Sequence, residues 1–131
     1  MTSVPHPEIT PLTEPYWTAL DQGRLTYQRC SLCSHTWLPA REQCPRCLAE
    51  EPAWTEASGG GKLISWVVYR RAVHESFNDK VPYTVAVVEL DEGPRLISSL
   101  LPNGVPSIDA PLRFRPATVD GIGVTSFELA D

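Results

Sequence analysis

A chain of 131 residues suffices for one ordinary domain, or for a compact domain with a small module attached. Thirteen prolines, eight glycines and 42% hydrophobic residues argue against a helical bundle and for short strands joined by many turns. The net charge is −5, with four basic and seven acidic side chains in residues 1–61 and seven and nine in the remainder, so neither part offers the positive face that a nucleic-acid binder needs.

Residues 1–12 hold Pro5, Pro7 and Pro11 without periodicity and read as an extended arm. The first eight residues lack a basic stretch and an apolar run, so no secretory signal is expected. No apolar run approaches the roughly 20 residues that cross a bilayer, and a soluble cytoplasmic protein is expected. From Thr13 the signals become helical: Thr13 can cap, Glu14 and Pro15 suit a first turn, Tyr16, Trp17 and Leu20 share a side, and Gly23 can terminate. So short a helix is marginal alone, and its aromatic face must pack on its own domain or dock on a partner protein.

Arg24 to Arg29 alternates, with Leu25 and Tyr27 on one face, and leads as a strand into four cysteines. Cys30, Cys33, Cys44 and Cys47 form a C-x2-C-x10-C-x2-C pattern, in which two tight turns aim paired sulfurs at one tetrahedral metal. In a reducing compartment a thiolate-bound zinc is favoured, with iron in a rubredoxin-like site or disulfides as alternatives. Thr36-Trp37-Leu38-Pro39 looks like a returning strand, and a second short ribbon ends near Trp54. This is a zinc-ribbon layout, in which sulfur ligation replaces a core too small to stand alone. Trp37 and Trp54 are expected to cover the metal site or the junction.

Ser58-Gly-Gly-Gly61 reads as a hinge-like break, dividing residues 1–57 (arm, helix and ribbon) from residues 58–131. After it, candidate strands span 62–73, 83–91, 95–101, 112–118 and 123–129, separated by proline and glycine turns. Five short strands match an OB-like barrel, with an open sandwich as the alternative. The runs Trp66-Val-Val68 and Val85-Ala-Val-Val88 are expected to be buried on both faces. The fold class is therefore mainly β: a short helix, a zinc ribbon and a five-stranded OB-fold-like barrel.

The ordered series Tyr16-Trp17, Gln28-Arg-Cys30, Trp37-Leu-Pro-Ala-Arg41, Cys44-Pro-Arg-Cys47, Pro82-Tyr83 and Val88-Glu-Leu-Asp-Glu-Gly-Pro94 resembles the zinc-ribbon/OB-fold acyl-CoA-associated family, from about Tyr16 onward. The resemblance implies a rubredoxin-like ribbon and a small partner of thiolase-superfamily enzymes. Within the family, the chain looks most like the small subunit of a lipid-transfer-protein-type thiolase-fold aldolase, which cleaves steroid side-chain acyl-CoA by a retro-aldol step, typically as a heterotetramer. Related subunits serve ketothiolase and hydroxymethylglutaryl-CoA synthase assemblies. Family knuckles commonly place glycine after the second cysteine of each pair, where Ser34 and Leu48 stand here. A left-handed Leu48 would be strained, so a distorted second knuckle or weaker metal binding is expected.

No catalytic residue emerges. Glu50-Glu51 and Asp91-Glu92 are adjacent on turns, and Ser98-Ser99 lacks a nucleophile-elbow context. The resemblance implies an accessory role, with catalysis on the partner and a CoA thioester as shared ligand. Arg70, Arg71, His74, Phe77 and Lys80 combine cations with an apolar strip and are candidate acyl-CoA contacts, while Tyr16, Trp17 and Leu20 are candidate partner contacts. A nucleic-acid-binding ribbon and barrel, with Trp66, Tyr69 and Phe77 stacking on bases, is the alternative that the charge opposes.

Overall fold

A computed structural model describes residues 9–70, 82–119 and 121–130. One helix, α1 (Glu14–Asp21), precedes ten strands: β1 (Thr26–Arg29), β2 (Thr36–Trp37), β3 (Ala53–Glu56), β4 (Gly60–Tyr69), β5 (Tyr83–Leu90), β6 (Arg95–Leu100), β7 (Pro111–Phe114), β8 (Ala117–Val119), β9 (Ile122–Val124) and β10 (Ser126–Leu129). Among the described residues, no helix is long and apolar enough to cross a membrane.

The helix begins beside Thr13, yet the Thr13 hydroxyl caps no helical amide and instead accepts from the Thr10 amide at 2.9 Å. Its end follows the sequence signal: Gly23 takes a φ of +77°, and the amides of Gly23 and Arg24 donate to the carbonyls of Leu20 and Ala19 at 2.9 and 2.8 Å. Strand β1 is central in a three-stranded antiparallel sheet, pairing with β2 on one side and β3 on the other.

Five strands close a barrel in the order β10-β6-β5-β4-β7, in which only the β10–β6 pair is parallel. Closure consumes every strand edge in the ring, which answers the barrel-or-sandwich question. Its inward face carries Leu63, Ala86, Val88, Leu90, Leu100, Leu112 and Phe127, all buried, with Phe114 edge-on to Phe127 at 5.7 Å.

Several expectations are corrected. Gly60 and Gly61 do not form a hinge; they open β4 inside the barrel, and a side chain on Gly61 would stand 2.7 Å from the Glu89 carbonyl oxygen. The runs around Trp66 and Val85 are not buried on both faces. Strand β5 alternates, with Ala86 and Val88 inward, while Val67 of β4 is 58% exposed, because a barrel strand has one face in solvent.

The last two expected strands are each broken in two. Pro116 lacks the N–H to extend the ladder, so β7 stops before it and β8 swings away to pair with β9. This small ribbon packs on α1, where the Gly123 amide donates to Asp21 Oδ1 at 2.7 Å.

A candidate metal centre and an apolar groove

The sulfur site is built from two equivalent turns. After each cysteine pair the chain reverses through a residue with a φ of +65°, Ser34 in the first and Leu48 in the second. The backbone closures match: Ser34 N–H to the Cys30 carbonyl is 3.1 Å, and Leu48 N–H to the Cys44 carbonyl is 2.9 Å. The amides of Leu32 and Cys33 lie 3.4 Å from Cys30 Sγ, and those of Arg46 and Cys47 lie 3.3 and 3.4 Å from Cys44 Sγ. The expected distortion of the second knuckle is therefore absent; Leu48 adopts the left-handed conformation and keeps the geometry.

All four sulfurs lie within 4.8 Å of one another, with Cys30–Cys47 at 3.5 Å and Cys33–Cys44 at 3.6 Å. Sulfurs about 2.3 Å from a tetrahedral metal sit roughly 3.8 Å apart, so the quartet has the required size. A disulfide needs about 2.05 Å, and none of the four cysteines is bridged. The amides of Cys33 and Leu32 draw the Cys30 thiol down to about 6 against the effect of burial. Burial opposes ionisation of Cys44, yet the amides of Cys47 and Arg46 still lower it. The Ala49 amide favours the Cys47 thiolate, but the sulfur of Cys30, burial and the sulfurs of Cys33 and Cys44 together outweigh it and push that thiol up to about 12. Four potential anions this close need a cation to coexist, which fits a closed thiolate-bound metal site.

Gln28, to which the sequence reading gave no structural role, fixes the ribbon. It is 1% exposed, and its Oε1 accepts from Trp37 Nε1 at 2.7 Å and from the Arg41 amide at 2.6 Å. Trp37 is buried with Cys30 and Cys44 in a small separate cluster, whereas Trp54 lies against Tyr16 at 6.1 Å, at the helix–ribbon junction. A polar residue at a buried position of β1 was the available signal.

Tyr16 and Trp17 are half-buried and line a groove of about 460 Å³ with Leu38, Pro39, Leu96 and Ile97. Burial pushes the Tyr16 phenol up to about 12. Ile97 is 72% exposed at this groove, whereas Leu20 is 3% exposed and belongs to the protein's own core. Arg70 is exposed just beyond β4, beside the stacked rings of Tyr69 and Tyr83 at 5.2 Å. Arg71, His74, Phe77 and Lys80 lie outside the described residues.

Sequence-family comparison matches residues 17–53 to the rubredoxin-like zinc ribbon domain of ChsH2 and residues 54–115 to the ChsH2 C-terminal OB-fold domain. The chain is 36% identical over 97 residues to a probable enoyl-CoA hydratase alpha subunit of Thermomonospora curvata, covering 74% of this chain and 30% of that protein. It is 35% identical over 87 residues to a DUF35 domain-containing scaffold protein of Methanothermobacter thermautotrophicus, covering 65% of each. The chain thus spans less than two thirds of either relative's length. A solved chain described as an Ltp2-ChsH2(DUF35) aldolase superposes with a TM-score of 0.85 at 31% identity, over 96% of this chain and 100% of that one. A DUF35-family protein of Sulfolobus solfataricus shares the fold, with a TM-score of 0.66 at 16% identity over 92% and 86% of the two chains.

Proposed function

The chain belongs to the ChsH2 (DUF35) family of zinc-ribbon and OB-fold proteins, and from that premise we propose that it is a noncatalytic accessory subunit of a thiolase-superfamily enzyme acting on acyl-CoA. The observation that carries the reading is the likeness, over 96% of the chain, to a protein described as an Ltp2-ChsH2 aldolase. The likeness to archaeal scaffold proteins supports a scaffolding part over a share in the chemistry. In this reading Cys30, Cys33, Cys44 and Cys47 hold a structural zinc, whose chemistry is to lock two turns together, because four protein sulfurs leave no open position for substrate or water.

The apolar groove receives the partner, with Tyr16, Trp17 and Ile97 as anchors. Retro-aldol cleavage needs an acid–base pair and donors for the enolate of the thioester. Among the described residues, the cysteine quartet is the only group of three or more metal-ligating side chains, and its sulfurs are already committed. In this reading the partner supplies the reacting groups. Arg70, with Arg71, His74, Phe77 and Lys80 after it in sequence, borders the CoA channel, and the favoured substrate is a steroid side-chain acyl-CoA. The complex is a heterotetramer around a thiolase-type dimer.

The test is co-expression of the full chain with thiolase-fold enzymes encoded beside it, followed by sizing and by assays of both cleavage and condensation of steroid-type acyl-CoA. The expected result is a stable heteromer whose turnover requires this chain. Ile97→Asp should weaken assembly by about tenfold or more, as loss of an apolar anchor does. Arg70→Ala with Arg71→Ala should raise the KM for the thioester and leave assembly intact. A chain that stays alone beside every thiolase-class candidate would overturn the reading.

A further inference from the structure

The outer face of the barrel breaks the pattern that water imposes on such a surface. Strand β5 turns Ala86, Val88 and Leu90 inward, so Val85 and Val87 between them face outward. Cross-strand register sets two rows on that outer face, Ile97, Val87 and Ser65 in one and Ser99, Val85 and Val67 in the next. Neither row holds a charge. Glu89, paired with Arg95 at 2.8 Å and facing Lys62 in register, closes one end of the patch, and the stacked rings of Tyr69 and Tyr83 close the other.

A strand with one face in solvent alternates apolar and polar residues, whereas a strand covered on both faces reads as a continuous apolar run. Trp66-Val-Val68 and Val85-Ala-Val-Val88 are runs of the second kind, yet Val67 is more than half exposed and Ile97 more so. The pattern calls for a cover that the described residues do not supply. Continuity and size identify it. Ile97 belongs both to the patch and to the apolar groove, so the two form one surface. The groove is small alone: a stable protein–protein interface engages roughly 20–30 residues a side, and the lining here is a few residues of α1, β6 and the segment after β2. An interface that starts at the groove can spread over the uncharged rows without stranding a charge, whereas the exposed side of α1 carries Glu14 and Asp21. A second copy of this chain suits the patch less well, since pairing two such faces would bury Ile97 and close the groove to any other protein.

We propose that the thiolase-class partner lies across β4, β5 and β6 in one interface that begins at the groove, with Val67, Val85 and Val87 beneath an uncharged, apolar part of its surface. The inference rests on the accessory-subunit reading and goes beyond it by giving the footprint.

The dissociation constant of the complex would be measured for the full chain and for Val67→Asp, Val67→Lys and Ser99→Lys, with the metal content and melting of each free chain alongside. Val67 lies two strands away from the groove, and Ser99→Lys exchanges one exposed polar side chain for another, so folding is preserved. The expected result is that a charge of either sign at Val67, and the lysine at position 99, each weaken assembly by about tenfold while the free chains are unchanged. Unaltered affinity in these variants beside a weakened Ile97→Asp would confine the partner to the groove, overturning the footprint and leaving the accessory role intact. A loss with only one sign of charge would make the effect electrostatic and overturn the footprint as well. Self-association of the unsubstituted chain that Val67→Asp abolishes would give the patch to a second copy instead, and an unsubstituted chain that assembles with no thiolase-class enzyme would overturn both readings.

Discussion

Leu48 is the one apolar side chain among the described residues held at a positive φ. It holds a φ of +65° at 67% exposure, so the left-handed backbone is imposed by the knuckle and the side chain gains little packing in return. For an L-residue that conformation costs roughly 1–2 kcal/mol, and glycine removes the cost but adds chain entropy to the unfolded state. The net expectation for Leu48→Gly is a gain of about 0.5–1 kcal/mol in stability. Denaturant titration of metal-loaded protein measures it; a lowered midpoint would mean that the exposed side chain does more than the backbone suggests. Ser34 has the same φ, and a small polar side chain bears it more easily. The pair shows why substitution of the usual glycines leaves the quartet intact: hydrogen bonds to Cys30 and Cys44 fix each turn, and the side chain yields.

At the scale of elements, punctuation was legible and folding back was not. The cysteine spacing, Gly23 at the helix end and the proline-glycine turns each act within a few residues, so sequence alone places α1, the knuckles and the barrel strands to within a few positions. The breaks at Pro116 and Thr125 are different. They matter because β8 and β9 leave the barrel to cover α1, a contact about a hundred residues away in sequence that no local pattern announces. The convergence of the four cysteines was legible for the same local reason, whereas Gln28 and the groove around Ile97 depend on which strands become neighbours. Gly123 tests the helix contact directly, because a methyl group there would meet the backbone of Leu20 and stand 2.6 Å from the Asp21 nitrogen. Gly123→Ala should therefore lift α1 and destabilise the protein by about 1–3 kcal/mol, the usual cost of overpacking, as read by thermal or denaturant melting. An unchanged melting profile would show that the helix is only loosely seated on β9.

Across the whole molecule, the helix and ribbon are continuous with the barrel. Leu20, Leu25, Tyr27 and Ala57 share one buried cluster with Leu63, Val88, Leu112 and Phe127, while the sulfur site keeps only Trp37 and Ala49 as apolar company. Polar ties run the same way: Thr36 Oγ1 donates to the Glu92 carbonyl at 3.0 Å, and the Ser58 amide to Glu92 Oε2 at 2.8 Å, so the turn between β5 and β6 grips β2 and the start of the barrel together. A ribbon whose strand β1 supplies part of the barrel's core cannot melt alone without exposing that core to water, at roughly 25 cal/mol per Å² of apolar surface. Unfolding of the metal-loaded chain should accordingly be a single transition, with the fluorescence of Trp37 in the ribbon and the far-ultraviolet dichroism of the barrel tracing one curve. Removal of the metal by a chelator should move both probes to lower temperature together, because ligation energy at such a site is folding energy and the folding unit is shared. Two separated transitions, with the barrel signal indifferent to chelation, would place the metal's influence in the ribbon alone and leave the apolar groove between them without a rigid floor.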